Sequence, residues 1–211
     1  MDNSERAAQV FDKYASFYME KFMDISLYHN ALNVFCEQLN TNNSSILELG
    51  CGPGNITQYL FSKSPGLDIL ATDLAPNMLK LAQDNNPAVK TMLLDSRNIS
   101  QFSQKFEGLM CGFIFPYLTK SEVKTFIEDA AGILNKEGLI YISTMEEDNS
   151  TSGFEEGSKG DLVYMNYHEG TYLKQYLRQN DFDIIFEDRV NYPGKDDKIV
   201  TDLILIARFR G

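Results

Sequence analysis

The chain has 211 residues, of which 43% are hydrophobic and 23% are charged, a composition typical of a folded globular protein rather than a disordered, fibrous or membrane protein. Its formal net charge of -11 at pH 7 disfavours a nucleic-acid partner, because phosphate binding relies on clustered Lys and Arg. The acidity is typical of a well-solvated surface, and a cationic substrate is the alternative interpretation.

Targeting signals and cysteines point to an intracellular setting. No segment approaches the ~20 apolar residues that cross a bilayer, so we expect no membrane partner. The start, Met1 to Arg6, is polar where a signal peptide would be apolar. We therefore expect a cytoplasmic protein. The cysteines are odd in number and far apart, which predicts free thiols and neither a disulfide framework nor a metal site: Cys36, Cys51 and Cys111.

Apolar residues recur at helical spacing before residue 41 and predict two helices there. We divide a single predicted domain into an N-terminal helical cap, 1–40, and a Rossmann-like core, 41–211. The aromatic residues of the first helix favour core packing, and the alternative is a cap over a ligand with Tyr14 or Tyr18 touching it: Phe11, Tyr14, Phe17, Tyr18 and Phe22.

After residue 45, short apolar runs alternate with helical segments, the pattern of successive βαβ units and a parallel sheet. One of these helices begins at a capping box, Thr119 to Glu122, and continues as an apolar stripe. Five strands are predicted: Ile46 to Leu49, Ile69 to Leu74, Val89 to Leu94, Leu109 to Phe113 and Leu139 to Thr144.

The end of the chain departs from this alternation. After a helix around Thr171 to Gln179, two strands are predicted over Phe182 to Val190 and Ile199 to Arg208. The connection between them, 191–198, is too short for a helical crossover, so these strands should be antiparallel. The predicted fold is a three-layer, doubly wound α/β sheet of seven strands, mostly parallel with an antiparallel last strand. The stretch Glu146 to Gly160 is predicted to be a long mobile loop.

A glycine-rich turn follows the first predicted strand and precedes a helix. Gly50, Gly52 and Gly54 allow a sharp turn and bring a ligand close to bare backbone at a helix start. The spacing differs from the G-x-G-x-x-G of dinucleotide sites. Glu48 suits a ligand that carries an ammonium group better than a pyrophosphate. A glycine turn without a ligand is the alternative.

Asp73 ends the second predicted strand, close to the ~20 residues after the first glycine at which an acid that binds a ribose diol is expected. A carboxylate can accept hydrogen bonds from both ribose hydroxyls. Pro76 starts the next helix, so Asp73 should lie at the edge of the sheet where ligands bind. A plain helix cap is the alternative role.

These residues resemble the class I S-adenosylmethionine-dependent methyltransferases of the small-molecule type, from about Ser45 to the C-terminus. Glu48 to Gly54 is similar to the family's first motif, and Thr72 to Met78 to its second. The resemblance implies S-adenosylmethionine as the cofactor, with an acid after the third strand, Asp95, binding the adenine amino group beside Ser96. The implied cofactor-binding residues are Tyr18, Glu48, Gly50, Cys51, Gly52, Gly54, Asp73, Leu74, Met78, Asp95, Ser96 and Cys111.

The segment after the fourth strand resembles the family less closely. Glu107 replaces the usual Asp, and Pro116 stands where many relatives carry His, so no catalytic role transfers there. The weak catalytic candidate is His168, with a surface or lid histidine as the alternative. A nucleophilic role for Cys51 or Cys111 is disfavoured against packing. Weak substrate candidates are Tyr14, Phe115, Tyr117 and His168.

The resemblance implies transfer of a methyl group by in-line displacement to a small-molecule acceptor. The transfer needs alignment of a nucleophile and exclusion of water more than a dedicated base. A cofactor-binding regulator or subunit without catalysis is the alternative, since binding motifs do not report turnover. An NAD-dependent oxidoreductase fits the glycine spacing and the terminal strand pair less well. The sequence predicts no particular oligomeric state.

Overall fold

The computed structural model describes residues 2–39, 43–194 and 198–211. A seven-stranded sheet forms its centre, with the strand order β3-β2-β1-β4-β5-β9-β8. Its strands are β1 (Ser45–Leu49), β2 (Asp68–Asp73), β3 (Lys90–Leu93), β4 (Phe106–Gly112), β5 (Leu134–Met145), β8 (Phe182–Pro193) and β9 (Ile199–Phe209).

Strand directions confirm the predicted sheet. Strands β1 to β5 pair in parallel, and the C-terminal strand β9 lies antiparallel to both β5 and β8. The five parallel strands need crossover connections, whereas the few residues between β8 and β9 are too short for one and allow only antiparallel pairing. The order reverses between β1 and β4, where an open α/β sheet leaves a crevice for ligands.

Helices cover both faces of the sheet. Leu32 and Phe35 of α3, Leu60 of α4 and Ala82 of α5 pack on one face. Residues of α6 and α7 pack on the other. The helices are α1 (Asn3–Lys13), α2 (Ala15–Phe22), α3 (His29–Gln38), α4 (Asn55–Lys63), α5 (Pro76–Asn85), α6 (Lys120–Ile133) and α7 (Gly170–Gln179). Both faces of the central strands β1 and β4 are therefore mostly buried, which explains their mostly apolar sequences, whereas the edge strand β3 has no buried residue.

The N-terminal segment differs from the prediction of two helices. The first predicted helix breaks at Tyr14, whose φ of -114° and ψ of 23° separate α1 from α2. Helix α3 packs into the core rather than over the edge of the sheet, because Leu32 and Phe35 are fully buried and the Phe35 ring packs edge-on against Tyr141 of β5. Of the described residues of this N-terminal segment, those that line a cavity at the carboxyl edge of the sheet belong to α1 and α2. The boundary predicted at residues 40 and 41 lies outside the described residues.

The predicted mobile loop over residues 146–160 is wrong in part. It contains a 3₁₀ turn at Asn149–Thr151 and strand β6 (Gly153–Glu156), which pairs antiparallel with β7 (Leu162–Met165). Strand β6 contains two glutamates and one glycine and lacks an apolar run, whereas β7 is a short apolar run beyond the predicted loop that was not predicted as a strand. In the described part of the chain, no helix has the length and apolar character to cross a membrane.

Strand β5 begins earlier than its apolar run. Strand β5 starts at Leu134, directly after α6, and its register shifts against β4 between Phe106 and Gly108. Glu137 adopts a positive φ of 64° beside this irregularity. The polar residues after Leu134 therefore belong to an irregular strand start, which an apolar pattern does not predict.

Candidate functional site

The glycine turn lies between β1 and α4 and has left-handed backbone. Gly50 has a φ of 65°, and a Cβ there would lie 2.4 Å from Cγ2 of Ile114, so only glycine fits without displacing that side chain. A Cβ on Gly52, with a φ of 54°, would meet only the Tyr18 ring, at 3.9 Å. The space above Gly52 is therefore open to a ligand.

Asp73 stands opposite this turn at the end of β2. Its carboxylate accepts hydrogen bonds from the backbone N–H of Gly52 at 2.9 Å and of Ala75 at 2.8 Å. Burial raises its pKa, and the two backbone donors act against that rise. The carboxylate thus both fixes the glycine turn and lines the cavity above it. The bond to Ala75, the N-cap residue of α5, is a local turn contact, and the alternative role of a helix cap is wrong because α5 has no side-chain cap hydrogen bond.

A cavity opens at the carboxyl edge of the sheet, above β1, β2 and β4. Its empty space, counted together with the solvent at its open mouth, is about 780 Å³. Eight of the predicted cofactor residues line it: Tyr18, Gly50, Gly52, Asp73, Leu74, Met78, Asp95 and Ser96. Ten further residues complete the lining: Ser4, Ala7, Ala8, Phe11, Leu94, Gly112, Phe113, Ile114, Tyr117 and Leu118.

Helix α1 forms one wall of this cavity through Ser4, Ala7, Ala8 and Phe11. None of these four was predicted as a site residue. Phe11 belonged to the aromatic set that suggested a cap. The small residues carried no chemical signal, although Ala7 and Ala8 let a helix approach the cavity closely. These residues define the shape of the cavity and carry no group that could take part in a reaction.

Two tyrosines line the cavity with their hydroxyls free of protein partners among the described residues. Burial and the charge of Asp73 raise the pKa of Tyr18 to about 12. Burial also raises the pKa of Tyr117, which packs edge-on against Phe11 with ring centroids 5.1 Å apart. Both phenols therefore stay protonated at neutral pH and can donate hydrogen bonds to a ligand.

Four predicted cofactor residues lie outside the cavity lining: Glu48, Cys51, Gly54 and Cys111. Glu48 is 1% exposed and accepts a hydrogen bond from the Thr57 hydroxyl at 2.6 Å. Burial raises its pKa to about 8. Both cysteines are buried in the apolar cores, and burial raises the pKa of each thiol, consistent with packing roles.

His168 is fully buried, and both ring nitrogens have partners. Nε2 lies 2.8 Å from the backbone oxygen of Phe115, and Nδ1 pairs with the hydroxyl of Tyr172. Burial lowers its pKa. This environment gives His168 a structural role in joining α7 to the segment after β4, and the structure does not bring it to the cavity as either a catalytic or a substrate residue.

The other weak substrate candidates separate into two groups. Tyr117 lines the cavity. Phe115 is fully buried and packs against Phe126 of α6, and Tyr14 donates a hydrogen bond to Asp161 at 2.6 Å, away from the cavity. Among the residues with described positions, no group of three or more His, Cys, Asp or Glu could hold a metal ion.

Residues 46–138 match the family model described as a methyltransferase domain. The malonyl-[acyl-carrier protein] O-methyltransferase of Bacillus anthracis is 26% identical over 145 residues, which cover 67% of this chain and 51% of that protein. The chain spans about half the length of the curated relatives that it matches first.

Two solved structures share the fold over nearly the whole chain. The 1,6-didemethyltoxoflavin-N1-methyltransferase of Burkholderia thailandensis, solved with 1,6-didemethyltoxoflavin and S-adenosylhomocysteine, superposes with a TM-score of 0.70 at 19% identity, covering 98% of this chain and 88% of that one. The magnesium protoporphyrin IX methyltransferase of Synechocystis PCC 6803, solved with S-adenosylmethionine, superposes with a TM-score of 0.72 at 15% identity, covering 99% of this chain and 98% of that one. Residues 46–138 are therefore similar to a methyltransferase domain, and the chain has the fold of the S-adenosylmethionine-dependent methyltransferases.

Proposed function

We propose that this protein transfers a methyl group from S-adenosylmethionine to a small-molecule acceptor. The observation that carries the proposal is the cavity at the switch point of the sheet, where a bare glycine backbone faces the buried carboxylate of Asp73. Asp95 lines the same cavity at the end of the next strand. This set provides hydrogen-bond acceptors for a ribose and an adenine beside a surface without side chains.

The residues present fit the cofactor. The open space above Gly52 admits a ligand that a Cβ would obstruct, and Asp73 keeps acceptor capacity for hydroxyl groups beyond its two backbone donors. Asp95 and Ser96 would hold the adenine, and Leu74 and Met78 would pack on apolar ligand surface. When bound, S-adenosylmethionine supplies a methyl group activated by a positively charged sulfur.

The side chains of this protein would act mainly by positioning and by excluding water. Phe11, Phe113 and Ile114 give the cavity apolar walls, while the hydroxyls of Tyr18 and Tyr117 supply donors that can orient an acceptor. His168 is buried and paired on both ring nitrogens, and the described cavity lining contains no histidine. No imidazole is therefore placed to take a proton from an acceptor. The proposal therefore relies on alignment of the nucleophile and not on a histidine base.

The acceptor is proposed to be small because helices α1 and α2 cover the cavity. Five lining residues come from these helices, which leaves little room for a macromolecular surface at the cavity mouth: Ser4, Ala7, Ala8, Phe11 and Tyr18. The net charge of -11 also disfavours nucleic acid. The bound 1,6-didemethyltoxoflavin of the Burkholderia thailandensis enzyme supports an acceptor of this size class.

The first experiment is calorimetric titration with S-adenosylhomocysteine and, separately, NADH. We expect binding of S-adenosylhomocysteine alone. Asp73→Ala should weaken it by about 1.5–3 kcal/mol, the range for a hydrogen bond to a charged group. The matched control is Asp68→Ala, at the exposed start of the same strand, which should bind like wild type.

Each outcome has a defined meaning. Absence of S-adenosylhomocysteine binding by the folded protein would refute the proposal, and tight NADH binding would replace it with an oxidoreductase. Binding without methylation across a broad acceptor screen would favour the regulator or subunit alternative. Methylation of a small acceptor, detected as S-adenosylhomocysteine release, would support the function proposed here.

A further inference from the structure

Arg97 joins three carboxylates that come from separate parts of the fold. Its guanidinium forms a bidentate pair with Asp95, with Nη2 2.6 Å from Oδ2 and Nε 3.0 Å from each oxygen. Nη1 lies 2.6 Å from Asp2 and 3.1 Å from Glu122. The Arg97 side chain is only 20% exposed, so these are not fully solvated pairs.

Each of the three acids has a defined place. Asp95 lines the cavity. Asp2 is the N-cap of α1, and Glu122 closes the capping box of α6, in which Thr119 is the N-cap. One guanidinium therefore connects the cavity, the start of the helix that covers it, and a helix fixed in the core.

Helix α1 has few apolar anchors, which makes its polar contacts important. Ala7 is its one buried residue among those described. The hydroxyl of Ser4 donates to the backbone oxygen of Tyr117, and Asp12 accepts a hydrogen bond from the backbone N–H of Asn77 at 2.6 Å. With the Asp2–Arg97 pair, these contacts attach α1 on both sides of the cavity.

We propose that Arg97 is a positioning residue that couples recognition of the cofactor's adenine by Asp95 to closure of α1 over the cavity. The planar fork of arginine holds both oxygens of Asp95 in one orientation, which a lysine could not do. The same charge offsets the repulsion among Asp95, Asp2 and Glu122. Without it, the start of α1 is repelled from the edge of the cavity. This inference rests on the proposed cofactor site.

The test separates the two roles with conservative variants. Asp2→Asn keeps an N-cap acceptor but removes its charge, so it tests only the attachment of α1 to Arg97. We expect S-adenosylhomocysteine to dissociate about 3- to 10-fold faster, because the variant loses the free energy of one partly exposed ion pair. Stopped-flow or surface plasmon resonance measures the dissociation rate. Amide hydrogen exchange of residues 3–13 should be faster than in wild type, with and without ligand.

Arg97→Gln addresses both roles. We expect the affinity for S-adenosylhomocysteine to fall about tenfold or more. Its preference over S-inosylhomocysteine, which has a carbonyl in place of the adenine amino group, should also shrink. Asp2→Asn should keep the wild-type preference. The control Arg210→Gln removes another arginine ion pair, with Asp183, far along the chain, and should leave all these values unchanged.

The outcomes distinguish this inference from the proposed function. Failure of wild-type protein to bind S-adenosylhomocysteine refutes the cofactor site. Wild-type binding together with unchanged dissociation, base preference and α1 exchange in folded Arg97→Gln and Asp2→Asn overturns the role of Arg97. If Arg97→Gln does not fold, Asp2→Asn alone tests whether the Asp2–Arg97 pair holds α1 over the cavity. Faster amide exchange in α1 and faster ligand dissociation support that role, and wild-type values of both exclude it.

Discussion

Glu48 is a carboxylate held almost entirely out of water at the end of β1. Burial is the main cause that raises its pKa to about 8, and the hydrogen bond from Thr57 acts in the opposite direction. In the unfolded chain the pKa returns to about 4.5. Between these two values the folded protein binds a proton that the unfolded chain releases, so this group destabilises the fold as pH rises.

The corresponding prediction concerns Glu48→Gln. The amide oxygen can still accept the Thr57 hydroxyl, and the side chain no longer titrates. We expect the free energy of unfolding of the variant relative to wild type to increase from pH 5 to pH 8.5, by on the order of a few kcal/mol. Urea denaturation at several pH values measures it. Exposed Glu37→Gln is the control, and a difference that does not change with pH would contradict the prediction.

At the scale of elements, helix α5 begins without a cap of its own. Its N-cap residue, Ala75, has no side chain that could accept a hydrogen bond. Asp12 of α1 supplies the missing acceptor, because its carboxylate takes the backbone N–H of Asn77 at 2.6 Å and the Asn77 amide at 3.1 Å. A contact between two helices thus replaces a local capping motif.

Asp12→Ala should therefore cost more than a substitution at a helix surface normally does. We expect a loss of about 1 kcal/mol in the free energy of unfolding, as for removal of an N-cap side chain. Glu37→Ala, an exposed acid on α3, should change stability by at most about 0.5 kcal/mol. Urea denaturation of both variants is the measurement. Equal effects would show that Asp12 does not cap α5.

At the scale of the whole molecule, the residues that line the cavity come from many elements of the fold. Its lining comes from α1, α2, the ends of β1, β2 and β4, and the segments that follow β2, β3 and β4. A ligand held by all of these elements binds the folded chain and not the unfolded one. Ligand binding should therefore stabilise the whole protein by mass action.

We expect S-adenosylhomocysteine at 100 times its dissociation constant to add about 2.7 kcal/mol to the free energy of unfolding. For a chain of this size, that corresponds to a rise in Tm of roughly 5–10 °C. NADH at the same concentration should give no shift. Differential scanning calorimetry measures both, and a Tm that stays constant with S-adenosylhomocysteine would contradict ligand binding in the cavity.

The fold was largely predictable from the sequence, and the site was predictable in part. Apolar runs, the capping box at Thr119 and the short terminal connection predict the seven strands and the reversed last strand, because these signals are local. The irregular start of β5 and strand β6 were missed because neither has an apolar run, and the apolar run of β7 was missed although the sequence contains it. Asp73 was predictable as a cavity residue from its position at a strand end, and Asp95 from the resemblance to the methyltransferase family.

The direction of each side chain was decided by the tertiary structure. Glu48 and Cys111 lie in segments that the motifs identify, yet their strands place them outside the cavity lining, because successive residues of a strand point to opposite faces. The sequence left a catalytic role possible for His168, but in the fold its Nε2 is paired with the backbone oxygen of Phe115, away from the cavity.

The sequence by itself determined the order of elements, the glycine turn and the acids at the strand ends, because each depends on residues within a few positions of one another. Only the tertiary structure brought Asp2 to Arg97, Asp12 to Asn77 and α1 over the cavity. These contacts join residues far apart in the chain, and no local pattern carries them. They form because the folded sheet brings the loops after its strands and the N-terminal helices to one edge.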